Sequence, residues 1–278
     1  MKKRVTFLNP AEFSGIILLT VAALVYFVSP LMAAAVAFFY ILLCVFASFF
    51  PQTNFFLPVI SRGSTRKNMV ALTFDDGPTK PMTTKILDLL DKYSMKATFF
   101  VSGVNAANHP DIINDIISRG HSIGNHSYNH NPFLMLRGYN TLYKEIFTAQ
   151  EILRNMGIKT RAFRPPVGIV NPKLSSILDK LEMYCVTFNC RAFDAGNFFI
   201  KNIGQKILKK VKAGDIILLH DVPARREKDN AVFLSEIEIL LAGIISRGLT
   251  VVPLSVLMNK EVMIINEKKY KNLFPKAN

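Results

Sequence analysis

Two adjacent carboxylates, Asp75 and Asp76, stand where an apolar segment ends and Gly77-Pro78 breaks the chain. The preceding residues, 69–72, are continuously apolar and predict a buried strand. Neighbouring carboxylates at a strand end repel each other unless a cation or a shared proton offsets the repulsion. The pair is therefore either an ordinary Asp-Asp-Gly-Pro turn or part of a cation site that imidazole ligands elsewhere in the chain would complete.

Two histidines supply such imidazoles. His126 and His130 are four residues apart, a spacing that on a helical turn places both rings on one face. Together with Asp76 they form a set of two histidines and one carboxylate, which suits a zinc ion that keeps one position open for water. The predicted metal ligands are thus Asp76, His126 and His130, and the predicted cofactor is one divalent ion, with zinc favoured.

The elements that must position these residues alternate between strand and helix patterns. Strands are predicted at 69–72, 96–101, 121–124, 161–164, 184–188, 215–219 and 249–252, with helices at 83–93, 111–119, 139–156, 171–181, 200–212 and 230–247. Regular alternation implies a parallel sheet. About seven such units predict an α/β fold close to, but short of, the eightfold barrel.

Polar residues recur directly after these strands. They are Asp75 and Asp76, the segment 126–130, Arg164, Asp194, and the pair His220 and Asp221. Because the carboxyl ends of parallel strands share one edge of the sheet, these side chains are expected to meet there. This recurrence favours a metal site over an isolated turn.

The motifs that carry these residues resemble those of the polysaccharide deacetylases of carbohydrate esterase family four. The matches are Thr73-Phe74-Asp75-Asp76-Gly77-Pro78, His126-Ser127-Tyr128-Asn129-His130, Arg164-Pro165-Pro166-Val167-Gly168 and Leu218-Leu219-His220. A fourth motif departs from the family, because Asp194-Ala195 stands where an Asp-Trp pair is usual. The resemblance covers about residues 66–258 and implies a distorted (β/α)7 barrel.

The resemblance also implies a role for each site residue. Asp75 would be the general base, held by Arg164, and His220 would be the acid that protonates the leaving amine, oriented by Asp194. The backbone N–H of Val167 would stabilise the developing negative charge. Leu218 would line the pocket for the acetyl methyl group. The structural alternatives are a barrel salt bridge for Arg164, a cap for Asp194 and a core position for Leu218.

The amino-terminal part of the chain predicts a membrane anchor. Half of the 278 residues are hydrophobic, and residues 14–61 contain no charged side chain. Two helices, 12–28 and 31–50, are expected to cross the membrane as a hairpin that turns at Ser29-Pro30. Basic residues flank this segment on both sides: Lys2, Lys3, Arg4, Arg62, Arg66 and Lys67. The positive-inside rule then makes the protein multi-pass with a cytoplasmic catalytic domain; if only one helix crosses, the domain lies outside.

These segments predict three regions: an anchor at 1–61, a catalytic domain at 66–258 and a basic tail at 259–278. Residues 1–13 account for +2 of the formal charge of +14, so the rest of the chain carries +12. Such a basic part attracts anionic headgroups or phosphorylated substrates. Nucleic acid is not expected as a partner, because no aromatic–basic interleaving or zinc-finger spacing is present. Cys185 and Cys190 are expected to be core thiols.

The expected function is metal-dependent removal of an N-acetyl group from an acetylated amino sugar. A cytoplasmic site and the absence of Trp favour a lipid-linked substrate, such as a polyprenyl-phosphate N-acetylhexosamine, presented by membrane lipids beside the rim. One alternative is a deacetylase of peptidoglycan or another polysaccharide outside the membrane. A second alternative is an inactive sugar-binding membrane protein, although binding alone would not require a base, a metal set and an acid together.

Overall fold

A computed structural model describes residues 8–64 and 67–275 of the chain. Its strands are β1 (Val59–Ile60), β2 (Met69–Asp75), β3 (Thr98–Val101), β4 (Ser122–Asn125), β5 (Ile158–Thr160), β6 (Ala162–Phe163), β7 (Tyr184–Val186), β8 (Cys190–Arg191), β9 (Ile216–His220), β10 (Thr250–Val251) and β11 (Met263–Ile265). Its helices are α1 (Pro10–Tyr26), α2 (Pro30–Phe49), α3 (Met82–Lys92), α4 (Gly103–Asn108), α5 (Pro110–Ser118), α6 (Tyr139–Asn155), α7 (Lys173–Lys180), α8 (Ile203–Leu208), α9 (Asn230–Ser246), α10 (Leu254–Met258) and α11 (Glu267–Leu273).

The strands form a curled parallel sheet in the order β1-β7-β6-β4-β3-β2-β9-β8, and β10 also pairs with β2. The helices that connect the strands cover the outside of this half-barrel. The architecture agrees with the predicted distorted (β/α)7 barrel, and the carboxyl ends of its strands lie along one edge, here called the rim.

Alternation along β2 explains how this strand carries chemistry. Val70, Leu72 and Phe74 pack into the large apolar cluster under the outer helices. The residues between them point to the opposite, inner side, because successive side chains of a strand alternate in direction. Ala71 belongs to the smaller inner cluster. Asp75, at the end of the strand, is therefore a buried carboxylate inside the barrel.

All seven predicted strands are present, with ends that differ by a few residues. The strands that periodicity did not predict are β1, β5, β8 and β11, each of two or three residues. β1 follows the two amino-terminal helices and lies within the region 1–61, and it pairs with β7. The predicted tail is also structured in part, because β11 pairs with β5 and α11 follows it. Cys185 and Cys190 are buried free thiols, as expected.

The helices α1 and α2 form an apolar hairpin whose open end rests on the barrel. The Tyr40 hydroxyl donates to the Ala11 carbonyl at 2.9 Å, which holds the two helices together. Within residues 8–64 and 67–275, one helix, α2, could span a membrane by length and composition, with a mean hydropathy of 2.4. α1, with 17 residues, is shorter. The flanking Lys2, Lys3, Arg4 and Arg66 lie outside the described residues. Two membrane crossings therefore stay a prediction.

Candidate active site

The three predicted metal ligands converge at the rim. The Asp76 Oδ1 atom lies 3.0 Å from His130 Nε2 and 3.4 Å from His126 Nε2. Ligand atoms of all three residues lie within 4.8 Å of one another. Asp76 Oδ1 is buried and accepts no hydrogen bond of good geometry. Its negative charge therefore faces two imidazole nitrogens, neither of which donates to it. Such an arrangement fits a cation between the three side chains.

A hydrogen bond fixes the orientation and the tautomer of His126. Its Nδ1 atom lies 2.7 Å from the Arg164 carbonyl oxygen, and because a carbonyl can only accept, Nδ1 must carry the proton. The lone pair of Nε2 then faces Asp76. A ligating histidine whose other nitrogen donates to a carbonyl is the usual arrangement in metal sites. Burial would lower the pKa of His126, but the charges of Asp75 and Asp76 raise it, so this pocket favours a positive charge.

The two histidines do not lie on a helical turn, and that part of the prediction is wrong. The segment after β4 is a loop in which Ser127 and His130 have φ values of 65° and 52°. The Ser127 N–H donates to Asn125 Oδ1 and its hydroxyl accepts from the His130 N–H. Glu145 of α6 accepts two further bonds, from the backbone and side-chain N–H groups of Asn129. The loop is therefore held by hydrogen bonds rather than by helical geometry.

Asp75 and Arg164 form a buried ion pair beside the metal cluster. The Arg164 Nη1 atom donates to Asp75 Oδ1 at 2.6 Å and to the Thr73 hydroxyl at 2.8 Å. Its Nη2 atom donates to the Thr187 carbonyl, and the guanidinium group stacks 3.9 Å from the centre of the Phe100 ring. Arg164 is fully buried. These contacts fix one oxygen of Asp75 and leave Oδ2 facing His126 Nε2 at 3.6 Å.

Asp221, whose function the sequence did not predict, holds the loop that carries Asp76. Its Oδ1 accepts from the Gly77 N–H at 2.9 Å and its Oδ2 from the Thr83 hydroxyl at 2.7 Å. A Cβ at Gly77 would lie 2.0 Å from Asp221 Oδ2, so only glycine fits. Burial raises the pKa of Asp221 to about 7, although the bonds from Thr83 and Gly77 oppose this rise. The only sequence signal was its position next to His220 at a strand end.

Asp194 and His220 form the second pair that the sequence predicted. The His220 Nδ1 atom donates to Asp194 Oδ2 at 2.7 Å. Burial would lower the pKa of His220, but the bond to Asp194 and the nearby carboxylates raise it to about 9. Burial would raise the pKa of Asp194, but the bond from His220, the charge of His220 and backbone N–H groups together lower it. Asn197 anchors the loop through donation to the carbonyls of His220 and Val222.

The two predicted substrate-binding residues lie on either side of this region. Val167 is exposed in a short turn after β6, with a φ of 53°, a conformation that is strained for a β-branched residue. Leu218 is buried in β9 and pairs in register with Thr73. The structure places both residues near the rim, and their contacts with a substrate stay predictions.

The geometry is that of a metal-dependent hydrolase on a (β/α) barrel, and comparisons with known proteins agree. Residues 62–186 match the family described as polysaccharide deacetylase. The chain is 31% identical over 168 residues to a chitooligosaccharide deacetylase of Sinorhizobium fredii, which covers 60% of this chain and 78% of that protein. The chain therefore belongs to the polysaccharide deacetylase family.

Two further similarities concern peptidoglycan deacetylases. A peptidoglycan-N-acetylglucosamine deacetylase of Bacillus cereus is 35% identical over 162 residues, which is 58% of each protein. The chain thus spans less than two thirds of that relative's length. A crystal structure of a peptidoglycan N-acetylglucosamine deacetylase superposes with a TM-score of 0.66 at 28% identity, covering 73% of this chain and 94% of that one. These matches support the barrel and its rim.

Proposed function

We propose that the protein is a metal-dependent hydrolase that removes the N-acetyl group from an amino sugar in a glycan. The observation that carries this proposal is the convergence of Asp76, His126 and His130 beside a buried carboxylate and a carboxylate-bound histidine. Sugar binding alone would not require a ligand set, a base and an acid on one rim. The same observation therefore argues against an inactive binding protein.

Each side chain has a task that its surroundings suit. The metal, which we propose to be zinc, would be held by the three ligands; when bound, it lowers the pKa of water and polarises a carbonyl. Asp75 would accept the proton of the attacking water, with Arg164 fixing its geometry. His220 would donate a proton to the leaving amine, because its link to Asp194 favours the protonated form. The Val167 N–H would donate to the oxygen that gains negative charge.

The first candidate substrate is a polysaccharide. The names of the relatives specify peptidoglycan and chitooligosaccharide, both of which carry N-acetylated glucosamine. An enzyme that acts on peptidoglycan must work outside the cytoplasmic membrane, so this candidate places the barrel there. The apolar helix α2 would then serve as an anchor or an export signal.

The second candidate is a lipid-linked amino sugar, and the position of the hairpin favours it. The Val170 N–H, in the loop after β6, donates to the Ser48 carbonyl at the end of α2 at 3.0 Å. Ala11 and Ala47 of the hairpin pack in one cluster with Leu134 and Met135, in the loop that follows His130. An inserted hairpin would therefore bring the rim close to the membrane surface. The basic residues on both flanks of the hairpin favour a barrel on the cytoplasmic side of the membrane.

Acetate release by the full chain in membranes tests the proposal and separates the two substrates. Activity should appear with a divalent metal, disappear with a chelator and return when zinc is added. Release from peptidoglycan or chitooligosaccharide, but not from a polyprenyl-phosphate N-acetylhexosamine, supports the first candidate, and the reverse supports the second. No metal-dependent release from any of these glycans would refute the deacetylase proposal.

A further inference from the structure

The loop between β8 and α8 forms a cavity beside the active site. This cavity, here called the Phe193 cavity, has a volume of about 460 Å³. One part of its lining is aromatic and another is basic: Phe193, Phe198, Phe199, Lys201, Lys206 and Arg226. The same loop carries Asp194, which holds His220. The loop that lines the cavity therefore also carries the residue that positions the predicted acid.

The charge around the Phe193 cavity is positive. Asp229 is the acidic residue of the lining, and it accepts a hydrogen bond from Arg226 Nε at 2.7 Å. Lys201 and Lys206 are exposed on the same lining. Behind the aromatic part, the Arg191 guanidinium lies 4.2 Å from the centre of the Phe193 ring. A cavity with this excess of cations suits a phosphate group.

The aromatic side chains are unusually exposed for a surface that faces water. Phe193 and Phe199 are 65% and 58% exposed. Among the described residues after position 50, the exposed phenylalanines are these two, Phe198 and Phe133, and all four lie in loops after strands at the rim. Aromatic rings next to basic side chains are the composition of surfaces that enter the headgroup region of a bilayer.

The hairpin explains which surface would cover these rings. Its open end bonds to Val170 and shares an apolar cluster with Met135, so it leaves the barrel at the rim, where the exposed phenylalanines also lie. On a water-facing rim these rings stay exposed to water, although Arg191 stacks on Phe193 and Arg225 on Phe198. A bilayer that holds the hairpin would meet them, and its lipid phosphates would meet the basic lining of the cavity.

We propose that the Phe193 cavity binds the phosphate of a membrane lipid, with Phe193, Phe198 and Phe199 in contact with the headgroup region. The proposal rests on the membrane attachment in the proposed function and deepens it. The phosphate could belong to an anionic phospholipid or to the lipid carrier of a sugar substrate. In either case the phosphate would bind against the loop that carries Asp194.

A single tryptophan can report the contact, because the chain contains no Trp. The variant Phe198→Trp, as the full chain in lipid nanodiscs, should show blue-shifted emission and quenching by brominated phosphatidylcholine. The matched control is Ser118→Trp, an exposed position at the end of α5, before β4 and so at the opposite edge. Equal quenching at both positions, or none at position 198, would overturn the proposal.

Lipid composition then tests the phosphate. Emission at position 198 is titrated in nanodiscs of phosphatidylcholine alone, with phosphatidylglycerol, or with a polyprenyl phosphate, and with inorganic phosphate in solution. A response to phosphatidylglycerol equal to that for the polyprenyl phosphate identifies a headgroup site, whereas a much stronger response to the latter identifies a carrier site. A response to inorganic phosphate of equal strength would refute lipid recognition.

Charge variants supply the final control. Adding Lys201→Gln and Lys206→Gln should weaken the response about 30-fold, at about one kcal/mol for each basic residue near the surface. Lys209→Gln with Lys268→Gln removes the same charge from outside the lining and should change it little. An equal loss of the response in both pairs of variants would indicate only general electrostatic attraction and would refute phosphate binding in the Phe193 cavity. Acetate release from a soluble chitooligosaccharide is measured separately, so a failure of catalysis is distinguished from a failure of lipid binding.

Discussion

Replacing Asp75 by asparagine separates proton transfer from metal binding. The two adjacent carboxylates have different surroundings: Asp76 Oδ1 lies between two imidazole nitrogens, whereas Asp75 is bound to Arg164. Asp75→Asn keeps the size of the side chain and an oxygen for Arg164, but it removes the base. We expect metal content to be retained and the rate of acetate release to fall by about 10²–10⁴-fold.

The same substitution should also lower the free energy of unfolding, by an amount that follows from the contacts of Arg164. Removing one partner of a buried ion pair costs about 3–5 kcal/mol, because the other charge stays buried without compensation. Thr73 and Thr187 still accept from the Arg164 guanidinium, so we expect the lower end, about 3 kcal/mol. The double variant Asp75→Asn with Arg164→Met should recover part of this loss, because it removes both charges.

Three measurements on one preparation test this reasoning. They are elemental analysis for metal, acetate release for activity and urea unfolding for the free energy of unfolding. Asp76→Asn is the matched control, and it should lose most of the metal. An active Asp75→Asn enzyme, or one without metal, would show that the roles of the two aspartates are reversed.

Three further substitutions test other parts of the site and the core. His126→Ala should abolish metal binding in elemental analysis while the hairpin still inserts; full occupancy would exclude it as a ligand. In metal-free protein, Asp194→Asn should lower the pKa of His220 from about 9, measured by NMR titration, because the bond to the carboxylate raises it; an unchanged pKa would contradict the pair. Burial lowers the pKa of His121 to about 4, so the unfolded chain takes up a proton below about pH 6.5 that the folded protein excludes. The contribution of neutral His121 to the free energy of unfolding is therefore complete above pH 6.5 and falls by about 3 kcal/mol as the pH drops towards 4. His121→Gln should remove this pH-dependent loss, measured by urea unfolding at pH 7 and at pH 4.

The central strands and their rim could be predicted because the signal lies within short stretches of sequence. β2 begins with an apolar run and ends at Asp75, and the buried strands β3 and β9 are also mostly apolar. Parallel pairing then places the ends of these strands at one edge, without any knowledge of side-chain contacts. The site residues were thus located by topology.

The parts that could not be predicted depend on contacts between distant residues. β1 and β8 contain two residues each, too few for a periodic pattern, and they exist because neighbouring strands supply hydrogen bonds. The function of Asp221 depends on the Gly77 N–H, 144 residues away in the chain. The spacing of His126 and His130 suggested a helix because it fits one, although a loop also brings both Nε2 atoms to Asp76.

The contact between hairpin and rim constrains the substrate more directly than the side of the membrane does. The hairpin meets the barrel through Val170 and Met135, in the loops that follow Arg164 and His130. If the hairpin is inserted as proposed, the membrane surface would face the metal ligands whichever side of the membrane the barrel occupies. A glycan must then reach them along the membrane surface, which a lipid-linked sugar does by diffusion in two dimensions and a newly made polymer strand does near its site of export. The exposed rings of the Phe193 cavity fit both routes, and a stronger response there to a polyprenyl phosphate than to phosphatidylglycerol would distinguish the lipid-linked route.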